Sequence, residues 1–577
     1  MEEKLKELER LRELLALEKK ADLEFFKTVI QNKPLEQRRA DGFTWFPLQI
    51  VRTGYTFGDR AFVVVERAGS PDAPHQFRSG NVVQIFINDK GNPHAEKSGV
   101  INYVNKNQMY VILNSKDLPD WINDGQIGVD LLFDDRTYME MEKAISKVMN
   151  AKGDRLAVLR DILLGYKTSE NRRADYPLSM TKLNESQNIA VRQIMENRDI
   201  AIVHGPPGTG KTTTLVAAVK KLTETENTIL VAAPSNTAAD LFTERLAAEN
   251  LTVVRIGNIS RVDETIIRHT LDGQLSTHPE AKNIKKIKIK SAELRRIART
   301  YKRKFGYDEK TQRDRLLKEA RDLSAWANEL EQRLIDEILD GAHVITCTLV
   351  GAASSILEKR KFRTVFIDEA AQALEPATWI PILKASRVVL AGDPLQLPPT
   401  VKSHAAKKQG FDVTLMEKAT ARLSIVNFLD VQYRMHKTIM NFSNRQFYDN
   451  LLQAHPSVSE RILVNFQEEK PVVFIDTAGC GFDEKVQPEN KSRFNPEEFY
   501  ALREHLYQYL DAFAYEKPSI GIISPYREQV LFMEKEIEAD PLLTNIKLTV
   551  ATIDGFQGQE RPNIGINAHE ERKILLD

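Results

Sequence analysis

The chain has 577 residues, a length that at roughly 150 residues per domain predicts about four structural units. Lys+Arg and Asp+Glu both number 81, so the formal net charge is zero. That balance excludes a uniformly basic nucleic-acid coat and an acidic solvating tail, but leaves room for a local basic patch. Only Cys347 and Cys480 occur, which excludes a disulfide framework and a cysteine-based module, so no structural zinc is expected. The charged start, Met1–Glu7, shows no signal peptide, and no uncharged apolar run approaches the roughly 18 residues of a membrane span. The expectation is a cytoplasmic chain without membrane contact.

In chain order, residues 1–41 come first, rich in Glu, Lys, Leu and Arg. Leu5, Leu8, Leu11, Leu15 and Leu23 recur near helical spacing, which predicts a long surface helix packed on its own protein. Over 42–135 short β-rich runs appear: Phe46–Arg52, Ala61–Arg67, Val82–Ile87, Gly99–Val104 and Met109–Leu113. Turn-rich pieces at 68–74 and 88–93 separate them, and five such strands predict a small antiparallel barrel. A barrel of this kind serves equally as a nucleic-acid binder or a rigid spacer. Residues 136–170 return to helix. From about 175 the pattern is strand, Gly-rich turn, helix, strand, so 136–254 reads as a stalk helix and the first part of an α/β core with a parallel sheet.

Residues 255–340 interrupt that core with a helical insertion, in which Lys282 to Arg321 holds sixteen Lys/Arg against five Asp/Glu. Such an excess suits phosphate neutralisation, because without a partner it costs self-repulsion. The alternative is a solvated face of a helical pair. The α/β pattern resumes at Val344, so 341–412 completes the first core and 413–577 forms a second.

The strongest local signal is Gly205-Pro206-Pro207-Gly208-Thr209-Gly210-Lys211-Thr212-Thr213, which fits G-x-x-x-x-G-K-[ST]. An apolar strand precedes it and a helix follows, the context in which this loop cradles phosphates. The glycines let successive backbone N–H groups point inward, and the helix N-terminus adds positive potential. Lys211 would reach the β- and γ-phosphates, and the Thr212 hydroxyl would ligate Mg²⁺. A second acidic site follows in Thr364-Val365-Phe366-Ile367-Asp368-Glu369, where an apolar strand delivers two adjacent carboxylates. Asp368 would hold the Mg²⁺ through water, and Glu369 would orient or deprotonate the attacking water. A third strand ends in Gly392-Asp393-Pro394-Leu395-Gln396, where Gln396 is placed to sense the γ-phosphate or the water. The pairing of loop and carboxylates predicts hydrolysis of a nucleoside triphosphate.

Taken together these segments resemble the superfamily 1 helicases of the 5′-to-3′ branch, the up-frameshift, senataxin and immunoglobulin-mu-binding type. The resemblance rests also on Leu183-Asn184-Glu185-Ser186-Gln187, Ala233-Pro234-Ser235-Asn236, Thr346-Cys347-Thr348, Asp368-Glu369-Ala370-Ala371-Gln372, Gln432-Tyr433-Arg434-Met435-His436, Ser524-Pro525-Tyr526-Arg527 and Gly555-Phe556-Gln557-Gly558-Gln559-Glu560. It implies an α/β fold of two tandem RecA-like P-loop domains with an inserted small β-barrel and a helical insertion. It implies ATP and Mg²⁺ as cofactors, and single-stranded DNA or RNA as partner for a monomer moving 5′-to-3′, with DNA repair among its settings. By the same resemblance Gln187 would read adenine, Tyr433 would lie on the base or sugar, Arg434 would reach the γ-phosphate and Glu560 would accept from the ribose hydroxyl. Pro234, Ser235, Asn236, Thr346 and Thr348 would grip the nucleic-acid backbone.

The family carries a further arginine motif beyond Gln557-Gly558-Gln559-Glu560, and seventeen residues follow Glu560 here without it. The second core is therefore expected to be incomplete, with Ile564–Ile566 left as a stub of strand at an unpaired sheet edge. Two further readings follow: a hydrolysis-impaired ATP- and nucleic-acid-binding protein, or a remodeller of ribonucleoprotein complexes.

Overall fold

The computed structural model describes residues 2–56, 60–67, 75–88, 95–105, 107–115, 117–169, 180–258, 264–299, 306–423, 425–461, 471–487, 492–511, 519–544, 546–556, 563–568 and 573–576. The chain divides into two compact units, Met1–Pro206 with Gly210–Leu429, and Asp430–Asp577 with Pro207–Thr209.

In the first unit, the leading helix Glu2–Phe26 buries Leu8, Leu11, Leu14 and Leu15. They pack against Tyr138, Met141 and Ile145 of the helix Asp135–Asn150, in the core beneath the main sheet. The helix lies on its own protein because leucines three and four apart form one apolar stripe. Polar clamps supplement it. Buried Glu18 accepts from the backbone N–H groups of Lys402 (2.8 Å) and Ser403 (2.7 Å), and Glu7 accepts from Lys418 and Arg422.

A closed barrel follows, of six strands rather than the five expected. These are β1 (Thr44–Tyr55), β2 (Ala61–Arg67), β3 (Val82–Ile87), β4 (Glu96–Asn105), β5 (Gln108–Leu113) and β6 (Ile127–Leu131), in the order β1-β2-β5-β4-β3-β6 with every pair antiparallel. The sixth strand, Ile-Gly-Val-Asp-Leu, is short and holds Gly and Asp, both poor strand formers. Only closure of the barrel against β1 and β3 makes it a strand. Val63, Val83, Ile85, Ile101, Val111 and Val129 fill the interior.

The first core is a seven-stranded, wholly parallel sheet. Its strands are β7 (Ile200–His204), β8 (Ile229–Ala233), β9 (Val253–Ile256), β10 (Val344–Thr348), β11 (Phe362–Ile367), β12 (Ala385–Gly392) and β13 (Val426–Phe428), in the order β13-β7-β12-β11-β8-β10-β9. Both faces are covered, as a parallel sheet requires. On β7, Ile200 and Ile202 enter the core shared with the leading helix, while Ala201 and Val203 enter the opposite core under the helices Glu185–Glu196 and Lys211–Leu222. β13 belongs to this sheet, and the second unit starts at Asp430. Between β9 and β10 lie the helices Ala281–Arg299 and Tyr307–Asp340, a paired helical hairpin.

The second unit carries short strand pairs, β14 (Val431–Gln432) with β15 (Gln453–Ala454), and β17 (Lys485–Val486) with β18 (Arg493–Phe494). Its sheet runs β16-β22-β21-β19-β20, from β16 (Val473–Asp476), β19 (Ile520–Ser524), β20 (Leu548–Thr552), β21 (Asn563–Ala568) and β22 (Lys573–Leu576). The expected unpaired edge at Ile564–Ile566 is not found: β21 pairs with β19 on one side and with β22, which folds back antiparallel, on the other. Among the described residues no helix is long and apolar enough to cross a membrane.

Candidate nucleotide site and nucleic-acid loops

Strand order decides which loops share an edge. β7, β12 and β11 are consecutive neighbours and all parallel, so the segments after them emerge side by side at their C-terminal ends. Those segments are the phosphate loop, the turn holding Gln396, and the Asp368-Glu369 pair. Ligands of open α/β sheets collect at this edge.

The phosphate loop turns through Gly208 and Gly210, both at φ 74°, a left-handed region that costs a residue with a Cβ dearly. It feeds directly into the helix Lys211–Leu222. The Gly205 N–H donates to the Gly392 carbonyl (2.9 Å), tying the loop to the end of β12. Pro206 and Thr209 are buried, Pro207 and Thr212 half-buried, and Thr213 is exposed. Gln187 lies behind the loop, and a Cβ at Gly210 would come within 2.6 Å of its Nε2. The Gln187 side-chain oxygen accepts from the Asn184 N–H (3.0 Å), completing a capping box at the start of the helix Glu185–Glu196.

Lys211 reaches both carboxylates. Its Nζ lies 2.6 Å from Glu369 Oε1 and 3.7 Å from Asp368 Oδ1. Burial works against the ammonium, but Asp368, Glu369 and Asp393 outweigh it and hold Lys211 above its ordinary pKa. Burial pushes the Asp368 carboxyl up to about 6, with Glu369 adding and Lys211 opposing. Glu369 sits at φ 51° and ψ 36°, left-handed for a residue with a side chain. Backbone strain of this kind persists where the surroundings over-determine it. Here Gln372 Nε2 donates to Glu369 Oε2 (3.0 Å) while Lys211 holds the other oxygen.

The side chains fit a hard cation. Asp368 Oδ1 is buried and accepts no hydrogen bond, because the Lys211 contact is too long for one. A carboxylate oxygen of this kind and the Thr212 hydroxyl are the donor types Mg²⁺ takes beside a nucleotide.

After β12, Asp393 is 2 % exposed and serves as a hub. Its Oδ2 accepts from Gln396 Nε2 (2.8 Å). Its Oδ1 accepts from the Leu395 N–H (3.1 Å) and lies 2.9 Å from His204 Nε2 at the end of β7.

The loops expected to hold nucleic acid follow β8 and β10, next along the same edge. Pro234 is half-buried, and exposed Ser235 caps the helix Asn236–Ala248 by accepting from the Ala238 N–H. Asn236 Oδ1 accepts from Arg255 Nη2 (3.0 Å). Arg255 is itself fully buried, bonded also to Asp240 (2.9 Å), to the Ile256 carbonyl and to the Asn258 carbonyl (2.8 Å). Thr348 is half-buried and accepts from the Gly351 N–H (3.0 Å). Thr346 departs from expectation: it is 0 % exposed, and its hydroxyl pairs with that of Thr243 at 2.6 Å. Strand alternation turns it under the helix Asn236–Ala248, so it is a core residue and not a phosphate contact.

In the second unit, Tyr433 is 37 % exposed and packs on His455 with ring centroids 4.6 Å apart. Arg434 is exposed, and its N–H donates to Gln432 Oε1 (2.8 Å). Glu560 lies outside the described residues, as do 300–305 of the basic stretch.

Gln372 and Asp393 lie inside the motifs, with no role expected of them from sequence. The signal was their spacing. Glu369 and Gln372, like Asp393 and Gln396, stand three apart in tight turns, where i and i+3 side chains meet. Arg255 and His204 carried no signal, since each acquires its partners only through strand adjacency.

The sequence matches known proteins over most of its length. Two family models, each described as an AAA domain, match residues 182–404 and 411–568. The DNA-binding protein SMUBP-2 of Rattus norvegicus is 30 % identical over 95 % of this chain and 56 % of its own length. An ATP-dependent helicase of Methanocaldococcus jannaschii is 31 % identical over 85 % of this chain and 78 % of its own. A regulator of nonsense transcripts 1 homolog of Drosophila melanogaster is 32 % identical over 66 % of this chain and 31 % of its own. The chain thus spans about half the length of the SMUBP-2 proteins it matches. Relatives described as helicases do not favour the hydrolysis-impaired reading.

Proposed function

This chain belongs to the superfamily 1 helicases of the up-frameshift and senataxin type, and on that premise we propose that it is an ATP-dependent helicase or translocase acting as a monomer on single-stranded DNA or RNA. One observation carries the proposal: the Lys211 ammonium is held against Glu369, with buried Asp368 behind it, at the mouth of a phosphate loop. A γ-phosphate entering that loop competes for Lys211 and frees Glu369 Oε1 to accept from the lytic water. Gln372 keeps Glu369 aimed during that exchange.

The nucleotide phosphates would lie along Gly205, Pro206, Pro207, Gly208, Thr209, Gly210, Lys211, Thr212 and Thr213, with Gln187 behind the loop as the adenine contact. Thr212 and Asp368 would hold Mg²⁺, which when bound would neutralise phosphate charge. Gln396 would face the γ-phosphate or the water. Tyr433 would stack on the base or sugar, and Arg434 would give the transferring phosphoryl group a guanidinium that does not deprotonate. Glu560 would take the ribose hydroxyl. Pro234, Ser235, Asn236 and Thr348 would hold the nucleic-acid backbone, with Arg255 fixing Asn236. Movement 5′-to-3′ is the polarity of the family.

The test is steady-state phosphate release with and without single-stranded DNA or RNA, paired with strand displacement on a duplex bearing a 5′ tail. Stimulated release and displacement are expected. In Glu369→Gln, turnover should fall by about 10²–10⁴, the worth of a positioned general base, while ATP still binds. Release that survives this substitution would place hydrolysis elsewhere.

A further inference from the structure

His204 belongs to no motif used above, yet it stands at the last position of β7, immediately before Gly205. Its side chain is 12 % exposed and packs edge-on against Phe428, with ring centroids 5.1 Å apart at 86°. Its Nε2 lies 2.9 Å from Asp393 Oδ1, and the other oxygen of Asp393 accepts from Gln396 Nε2 at 2.8 Å. The loop and the turn are joined a second time by the Gly205 N–H on the Gly392 carbonyl. Asp393 also helps to hold the Lys211 ammonium.

A carboxylate only accepts hydrogen bonds, and this settles two ambiguities at once. His204 must carry its proton on Nε2, and Gln396 must turn its NH₂ toward Asp393. The carbonyl oxygen of Gln396 then points the other way. A lytic water needs acceptors for its O–H groups while its lone pair faces phosphorus, so a carbonyl serves it and an NH₂ does not.

We propose that His204 is a positioning residue for ATP hydrolysis: through Asp393 it fixes the Gln396 amide with its oxygen presented to the water, and links that orientation to the phosphate loop. This rests on the ATPase reading given above. Without His204 the buried Asp393 carboxylate loses the donor that opposes Gln396 on its other oxygen, and its orientation is less tightly fixed. Gln396 then loses its preferred amide orientation, although nothing that touches the nucleotide has been removed.

The experiment compares the unaltered chain with His204→Ala and His204→Gln, reading three quantities: affinity for a fluorescent ATP analogue, kcat and KM for phosphate release on single-stranded DNA, and Tm. Glutamine places an amide N–H close to the imidazole Nε2 and restores the donor. In His204→Ala, kcat should fall roughly tenfold to a hundredfold, the scale of a misplaced catalytic group, with KM and analogue affinity unchanged. His204→Gln should recover most of that loss. Equal kcat in the unaltered chain and His204→Ala overturns the positioning role and leaves the ATPase reading standing. Equal loss of kcat in both variants also overturns it, in favour of a packing role. No phosphate release from the unaltered chain overturns the ATPase reading, and this proposal with it.

Discussion

Several side chains at the sheet edge are committed to neighbours, which sorts contact residues from scaffold. Thr346 donates to or accepts from Thr243 and is wholly buried. Thr346→Val, nearly isosteric, should therefore leave nucleic-acid affinity unchanged and lower stability by about 1 kcal/mol, the net worth of one buried hydrogen bond. Filter binding and thermal unfolding check the two halves. Gly392 is held to glycine by closeness rather than by φ. A Cβ there would come within 2.9 Å of Met416 Sδ and 3.0 Å of the Ala371 N–H. Gly392→Ala should cost about 1–3 kcal/mol, as overpacking does. Since it pushes the Gln396 turn away from the Asp368-Glu369 turn, kcat should fall further than a surface substitution of equal ΔTm would explain.

At the scale of elements, the leading helix is an integral part of the first unit. Its apolar stripe lies in the core, and its acid side chains are clamped by basic partners. Burial alone would raise the Glu7 carboxyl, but hydrogen bonds and charge from Arg422 and Lys418 hold it below its ordinary 4.5. A depressed folded pKa means that this stabilisation is complete above 4.5 and is lost as pH falls through the lower, folded value. The Tm gap between the unaltered chain and Glu7→Gln should thus be present at pH 7 and close as the pH is taken well below 4.5. A gap that stays constant over that range would show that Glu7 acts by packing alone.

Over the whole chain, zero net charge conceals a local basic stretch, with sixteen Lys/Arg against five Asp/Glu between Lys282 and Arg321. On the helix Ala281–Arg299, Lys282, Lys285, Lys286 and Lys290 are exposed, while Lys288 turns inward to Glu331 at 2.8 Å. Only the outward group can release counterions. If all four of those lysines meet phosphate, replacing them with Ala should shrink the log–log salt dependence of single-strand binding by about 2–3, at about 0.7 per contact. Lys288→Ala should leave that slope alone and instead destabilise the hairpin by roughly 3–5 kcal/mol, because Glu331 loses its buried partner. Salt titrations of the two variants separate these effects.

What the sequence by itself determined was everything that depends on local pattern. The phosphate loop, the paired carboxylates, the leading helix and the parallel α/β core could all be read there, since each is a short-range rule of spacing or alternation. The tertiary structure alone decided what depends on strand neighbours. It made Ile127–Leu131 a barrel strand, gave Val426–Phe428 to the first sheet, and turned Thr346 inward. It also brought His204 to Asp393, 189 residues away, because β7 and β12 lie side by side. Adjacency across a sheet is set by packing of the whole chain, and no window of sequence contains it.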